Sequence, residues 1–168
     1  MIDIHSLAQP FASWNALYSH SKAVSTTVLT IHLGAMFLGG GLAVAADRAT
    51  LRVSGDQPEE RARQLAEISN THRPVLIGIT VLFVSGVAMA LADLENFLGN
   101  PVFYVKLGLV ALLLVNGALL QKTEAGLRNS PGSTDAPAKW KRMRTFTVLS
   151  LTLWIATFVA GSILANAT

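Results

Sequence analysis

The chain has 168 residues, of which 51% are hydrophobic and 14% charged, with a formal net charge of +3 and no cysteine. Its mean hydropathy is +0.46, and a soluble domain of this length cannot bury four long apolar helices inside itself; disulfides and thiolate metal sites are excluded. The charges fall in blocks, so the pI near 9.6 belongs to connecting segments and not to a nucleic-acid surface.

Residues 4–18 read as an amphipathic helix, because Ile4, Leu7, Phe11, Trp14 and Tyr18 recur at three- and four-residue spacing with polar residues between them. Such a helix is expected to lie on the outer membrane interface. Four apolar stretches follow. There are 24 residues without formal charge between Lys22 and Asp47, 19 between Arg73 and Asp93, one charge (Lys106) within 101–121, and none within 145–168. At 1.5 Å per residue each stretch is about long enough to cross a ~30 Å hydrocarbon layer. Spans are therefore expected at about 22–46, 74–92, 101–121 and 145–166. The fold class is an all-α membrane protein, an antiparallel four-transmembrane-helix bundle with an N-terminal interfacial helix, and the lipid bilayer is its first partner.

The connections 47–73 and 122–144 hold 11 of the 13 Lys and Arg residues. Short cytoplasmic loops retain Lys and Arg, which predicts a multi-pass protein of the bacterial inner membrane with both connections cytoplasmic and both termini periplasmic. Ala43-Val44-Ala45 has the form of a signal-peptidase site, but cleavage there would leave the five arginines of 47–73 outside, so the first stretch reads as a span and not a leader.

In the first connection, Asp56-Gln57-Pro58-Glu59 combines a capping residue, a first-turn proline and an early acid, which predicts a helix over 57–70. A separate second span is expected to begin after Asn70-Thr71. Residues 129–137 are rich in Ser, Pro and Gly with nothing to bury, and are expected to be mobile. Phe103 and Tyr104 would form an aromatic belt at the start of the third span. Small and polar residues share one face on three spans: Ser25, His32, Met36, Gly39 and Ala43; Gly78, Leu82, Ser85 and Met89; Thr147, Ser150, Trp154, Thr157 and Gly161. Such faces let membrane helices approach closely.

His32 is the residue that packing explains least, since an ionisable group well inside hydrocarbon commonly faces a bundle interior and marks a function. The bland alternative is a neutral imidazole bonded across helices to Ser85 or Thr157. Counting residues from the span ends places Met89 at about the level of His32, with Lys106 beside it or nearer the outer surface. A b-type haem suits such a set: His32 as axial ligand, Met89 or Met36 as the other, and Lys106 against a propionate. Copper is the alternative, with His32, Met36 and Met89 as a soft-ligand relay and an external copper or zinc site at His5 and His20. His72 lies too far toward the inner face to join His32. Asp47 and Arg73 read as interface anchors able to pair with each other, and Lys106 could instead snorkel to the outer headgroups.

The strings HLGAMFLGGGLAVAADRATLR, SGVAMA and NPVFYVKLGLVALLLVNGALL resemble a bacterial family of uncharacterised four-helix membrane proteins over nearly the whole chain. More distantly, a histidine early in one span followed by a Gly pair, with a lysine entering a later span, is similar to CopD-type copper proteins and HemJ-type membrane haem proteins. That resemblance implies His32 as a haem ligand and Lys106 as the lysine of the HemJ pattern. The sequence departs from that pattern at Phe37-Leu38-Gly39-Gly40 and Ala46-Asp47-Arg48, so the HemJ reaction is not carried over. The expectation is a haem or redox membrane protein whose electron partner is quinone or a periplasmic redox protein, and a homo-oligomer sharing haem between two His32 residues is compatible with it. A copper-handling protein or a cofactor-free structural subunit are the rivals.

Overall fold

The computed structural model describes residues 7–130 and 133–167, which are helical apart from short turns. A 3-10 turn at Gln9–Phe11 precedes α1 (Ala12–His20). After it come α2 (Lys22–Arg52), α3 (Pro58–Ala92), a short α4 (Leu94–Gly99), α5 (Pro101–Asn129) and α6 (Ala136–Ala167). Helices α2, α3, α5 and α6 are the four long and apolar enough to cross a membrane. Their outward faces agree with that: Phe37 is 79% exposed, Ile155 64% and Phe83 62%, a surface that water would not tolerate and lipid does.

Each helix begins where its sequence permits. Ser21 leaves α1 in an extended conformation and its hydroxyl accepts from the Val24 N–H, capping α2. Asn100 caps α5 through Val102 N–H at 2.9 Å, with Pro101 next to it. At α3 the expected Asp56 cap is not formed. Gln57 is the N-cap without a side-chain bond, and Pro58 opens the helix.

The second span does not start afresh after Asn70-Thr71. α3 runs unbroken for 35 residues with Pro74 inside it, because the predicted 57–70 helix and the apolar stretch are in phase and merge. At 1.5 Å per residue α3 is ~50 Å long, well beyond the hydrocarbon layer. α5 and the beginning of α6 also continue past their apolar parts. Where 129–137 was expected to have nothing to bury, the chain is helical to Asn129 and again from Ala136, which is 3% exposed; Pro131 and Gly132 lie outside the described residues.

We call the end holding the two Arg/Lys-rich turns the basic end, and the other the terminal end. At the basic end the helix extensions close a hydrophobic core of Leu65, Ile68, Leu127, Ala136, Trp140 and Met143, against which Val53 and Leu120 pack. The turn between α2 and α3 is clamped to it. Arg144 donates to the Val53 carbonyl at 2.9 Å, and Gly55 has φ +83 with Trp140 where a side chain would be. At the terminal end, Trp14 Nε1 donates to the Ala88 carbonyl at 2.8 Å and Asn15 to that of Ala92, so α1 covers the last turn of α3. Residues 4–6 of the predicted amphipathic helix lie outside the described residues. The aromatic group at the start of α5 forms, with Phe97 and Phe103 rings 5.4 Å apart and the Tyr104 hydroxyl on the Leu98 carbonyl.

Inside the membrane layer the helices form two antiparallel pairs, α2 with α3 and α5 with α6. The first pair crosses at Gly39 and Gly78, where a Cβ on Gly78 would lie 2.6 Å from Gly39 Cα. At this crossing α2 contains a π-helical turn, Met36–Gly40, which includes Gly39, an extra-residue turn of the sort found beside functional sites. The pairs meet mainly through α6 and the basic half of α2, where Trp154 lies over Gly40.

Candidate functional site

Two turns from the Gly39–Gly78 crossing, the same seam between α2 and α3 carries His32 and Ser85. His32 Nδ1 is 2.9 Å from Ser85 Oγ. Gly86 makes room for the ring, since a Cβ there would sit 3.3 Å from His32 Cε1. The Ser85 hydroxyl has one proton, and its contact with the Val81 carbonyl at 2.6 Å takes it, with the Leu82 carbonyl at 3.2 Å alongside. Ser85 Oγ therefore accepts from Nδ1–H of His32, which assigns the tautomer with the lone pair on Nε2. The Leu82 carbonyl also lies within hydrogen-bond reach of the ring, and the bond to Ser85 is the one that fixes Nδ1. Ser85 is 5% exposed, so this orienting bond is sheltered.

Lys106, on α5, directs its ammonium toward α6: a Cβ on Gly161 would lie 3.4 Å from Nζ. It is within electrostatic reach of His32, and no carboxylate pairs with it among the described residues. Thr157, one turn before Gly161, has a buried hydroxyl without a partner among the described residues. His32, Lys106 and Thr157 thus belong to the bundle interior of the terminal half. Of the small faces that the sequence marked, those of α2 and α3 meet along this seam, and α6 meets α2 mainly in its basic half.

The methionines are placed differently from the sequence count. Ser85, not Met89, is level with His32. Met36 follows His32 by four residues toward the basic end, and Met89 follows Ser85 by four toward the terminal end, each ~6 Å along its helix. Both are half-buried. His20 ends α1 and is exposed, whereas His32 lies ~15 Å into α2 from its start at Lys22; His5 lies outside the described residues. Among the described residues no group of three or more His, Asp and Glu side chains is arranged to hold a metal.

Two polar sites at the basic end differ from expectation. Asp47 does not pair with Arg73. It is 5% exposed and faces the Ser150 hydroxyl of α6, because its position on α2 points into the bundle. Glu124, which the sequence reading passed over, is 1% exposed. It hydrogen-bonds His72 Nε2 across α3 and α5 and lies 3.6 Å from Arg128, which also donates to Ser69 at 2.7 Å. The signal available for it was its spacing on α5, four residues before Arg128 and eight after Asn116.

No family model matches this chain, and neither a curated protein nor a solved structure shows significant similarity to it, so the site is argued from its own geometry.

Proposed function

We propose that this chain is a redox-active, b-type haem-binding protein of the bacterial inner membrane, with His32 as axial ligand. One observation carries the reading: Ser85 holds the imidazole by Nδ1–H and leaves the lone pair on Nε2 in a membrane interior. A haem-ligating histidine needs this arrangement, because the second-shell bond sets both tautomer and ring orientation. Lys106, an ammonium without a carboxylate in the same interior, would hold a propionate. The donor set fits the group. Bound haem would supply one-electron chemistry, with quinone or a periplasmic redox protein as electron partner, both termini on the periplasmic side as the Lys/Arg distribution supports.

The staggered thioethers favour a second reading. Met36, His32 and Met89 follow one another along a single helix seam in steps of ~6 Å, which suits stepwise passage of copper(I) between soft ligands better than two ligands on one haem iron.

The visible spectrum of protein purified from haem-replete cells, with metal analysis of the same sample, separates these readings. A Soret band lost in His32→Ala is expected. A Soret band unchanged by His32→Ala removes His32 as ligand. No band, and none on adding haem, removes the haem reading; stoichiometric copper lost with Met36 and Met89 would then support the second.

A further inference from the structure

The basic half of the membrane layer holds polar side chains that the haem reading does not use. Asp47 on α2, Asn116 on α5 and Ser150 on α6 are 5%, 3% and 8% exposed. Asn116 donates Nδ2–H to the Phe146 carbonyl at 3.0 Å, which fixes its amide with Oδ1 as the remaining acceptor. The Asp47 carboxyl faces Ser150, one turn further along α6. Asp47 Oδ2 and Asn116 Oδ1 are both buried, and neither has a hydrogen-bond partner among the described residues. The Ser150 hydroxyl donates to the Asp47 carboxylate, which leaves Asp47 Oδ2 and Asn116 Oδ1 as two unpartnered acceptor oxygens reaching the same stretch of α6 from two other helices.

The donors nearby are committed elsewhere. The Thr50 hydroxyl bonds Ala46 O, the Thr147 hydroxyl bonds Met143 O, Gln64 donates to Thr50, and Arg144 to Val53 O. Burying one unpaired acceptor is costly, and a charged one more so. A cation between the oxygens would satisfy both.

We propose that Asp47, Asn116 and Ser150 form a binding site for a small monovalent metal cation of the alkali series. The donors are all oxygen, which selects a hard cation. They carry one formal negative charge, so a monovalent ion is neutralised, whereas a divalent ion would leave net charge in a low-dielectric layer. The ion would join α2 to the α5–α6 pair at a level where α2 and α5 have little direct contact.

The test is thermal unfolding of the full chain in detergent, in lithium, sodium, potassium or choline chloride at equal ionic strength and fixed pH. At least one alkali cation should raise the midpoint saturably relative to choline, by about 5–10 °C at a hundredfold excess over its Kd. Asp47→Asn should abolish the difference, and Ser150→Ala should raise the cation concentration needed about tenfold; the second variant serves if the first does not fold. Equal midpoints in all four salts would overturn the proposal, leaving a bridging water as occupant. A cation effect that survives Asp47→Asn and Ser150→Ala would place it elsewhere, and a midpoint that follows pH alone would make the ligand a proton.

Discussion

Replacing Gly78 by alanine tests the central geometric claim, that α2 and α3 touch backbone to backbone at one point. The added Cβ would lie 2.6 Å from Gly39 Cα and 3.2 Å from Gly39 N. Neither atom belongs to a flexible side chain that could move aside. Ordinary carbon contacts are about 3.5–4.0 Å, so the helices must part by about 1 Å. Overpacking of this kind costs about 1–3 kcal/mol. Alanine returns about 0.8–1.0 kcal/mol through helix propensity, which leaves a net loss of up to about 2 kcal/mol. Gly34→Ala is the matched control, since nothing lies within 4 Å of a Cβ there; it should be neutral or stabilising by up to about 1 kcal/mol. The two variants share one chemistry on the same helix pair, so they differ by the overpacking cost alone, and their midpoints in a detergent melt followed by circular dichroism should differ by about 2–12 °C. Parting the seam should also disturb the His32–Ser85 bond two turns away. If Gly78→Ala melts at or above Gly34→Ala, the close crossing does not exist.

Further outcomes follow from the polar contacts. Ser85→Ala, which frees the Nδ1–H, should weaken the binding of haem or metal at His32 about 10–100-fold, measured by titration of the purified protein. Glu124→Leu should destabilise less than His72→Ala, because the first leaves a partly exposed imidazole unpaired and the second leaves a carboxylate that is 1% exposed with only the Arg128 guanidinium 3.6 Å away; chemical unfolding in detergent gives the order, and the reverse order refutes the burial argument. Gly55→Ala combines a φ of +83 with a Cβ 2.2 Å from the Trp140 ring, and should open the basic end, read as faster amide exchange over 53–57 and 136–143. A single cysteine introduced at Ser133, in a chain that has none, should react with an impermeant thiol reagent only after the cytoplasmic side of the membrane is exposed.

The four membrane helices were legible because apolar length and charge blocks are direct properties of the sequence. Helix ends were not, since hydropathy registers only the apolar part. Leu65, Ile68, Leu127, Trp140 and Met143 are scattered among charges, and only folding gathers them into the core at the basic end. The same gap displaced the site geometry. Counting depth from the end of an apolar stretch assumes that a helix begins there, and α3 begins at Pro58, well before its apolar part, so the count puts Met89 at the level of His32 where the helix crossing puts Ser85. Ser85 itself was visible as a candidate partner, because it shares the small-residue face of its span. Asp47 and Glu124 look like rim charges in a linear reading. Whether such a residue faces water or the bundle depends on helix rotation, and periodicity near a helix end is too short to fix that.

The core at the basic end also bears on how the chain is made. It draws on α3, α5 and the first two turns of α6. The α2–α3 pair can lock through Gly39 and Gly78 as soon as both have left the ribosome, but nothing seals the basic end until the last helix arrives. Until then the Leu65 and Ile68 surface of α3 is covered only in part, by Leu127 of α5 and by Val53. A chain without α6 would therefore keep its close helix crossing in the membrane layer while the core at the basic end stayed incomplete.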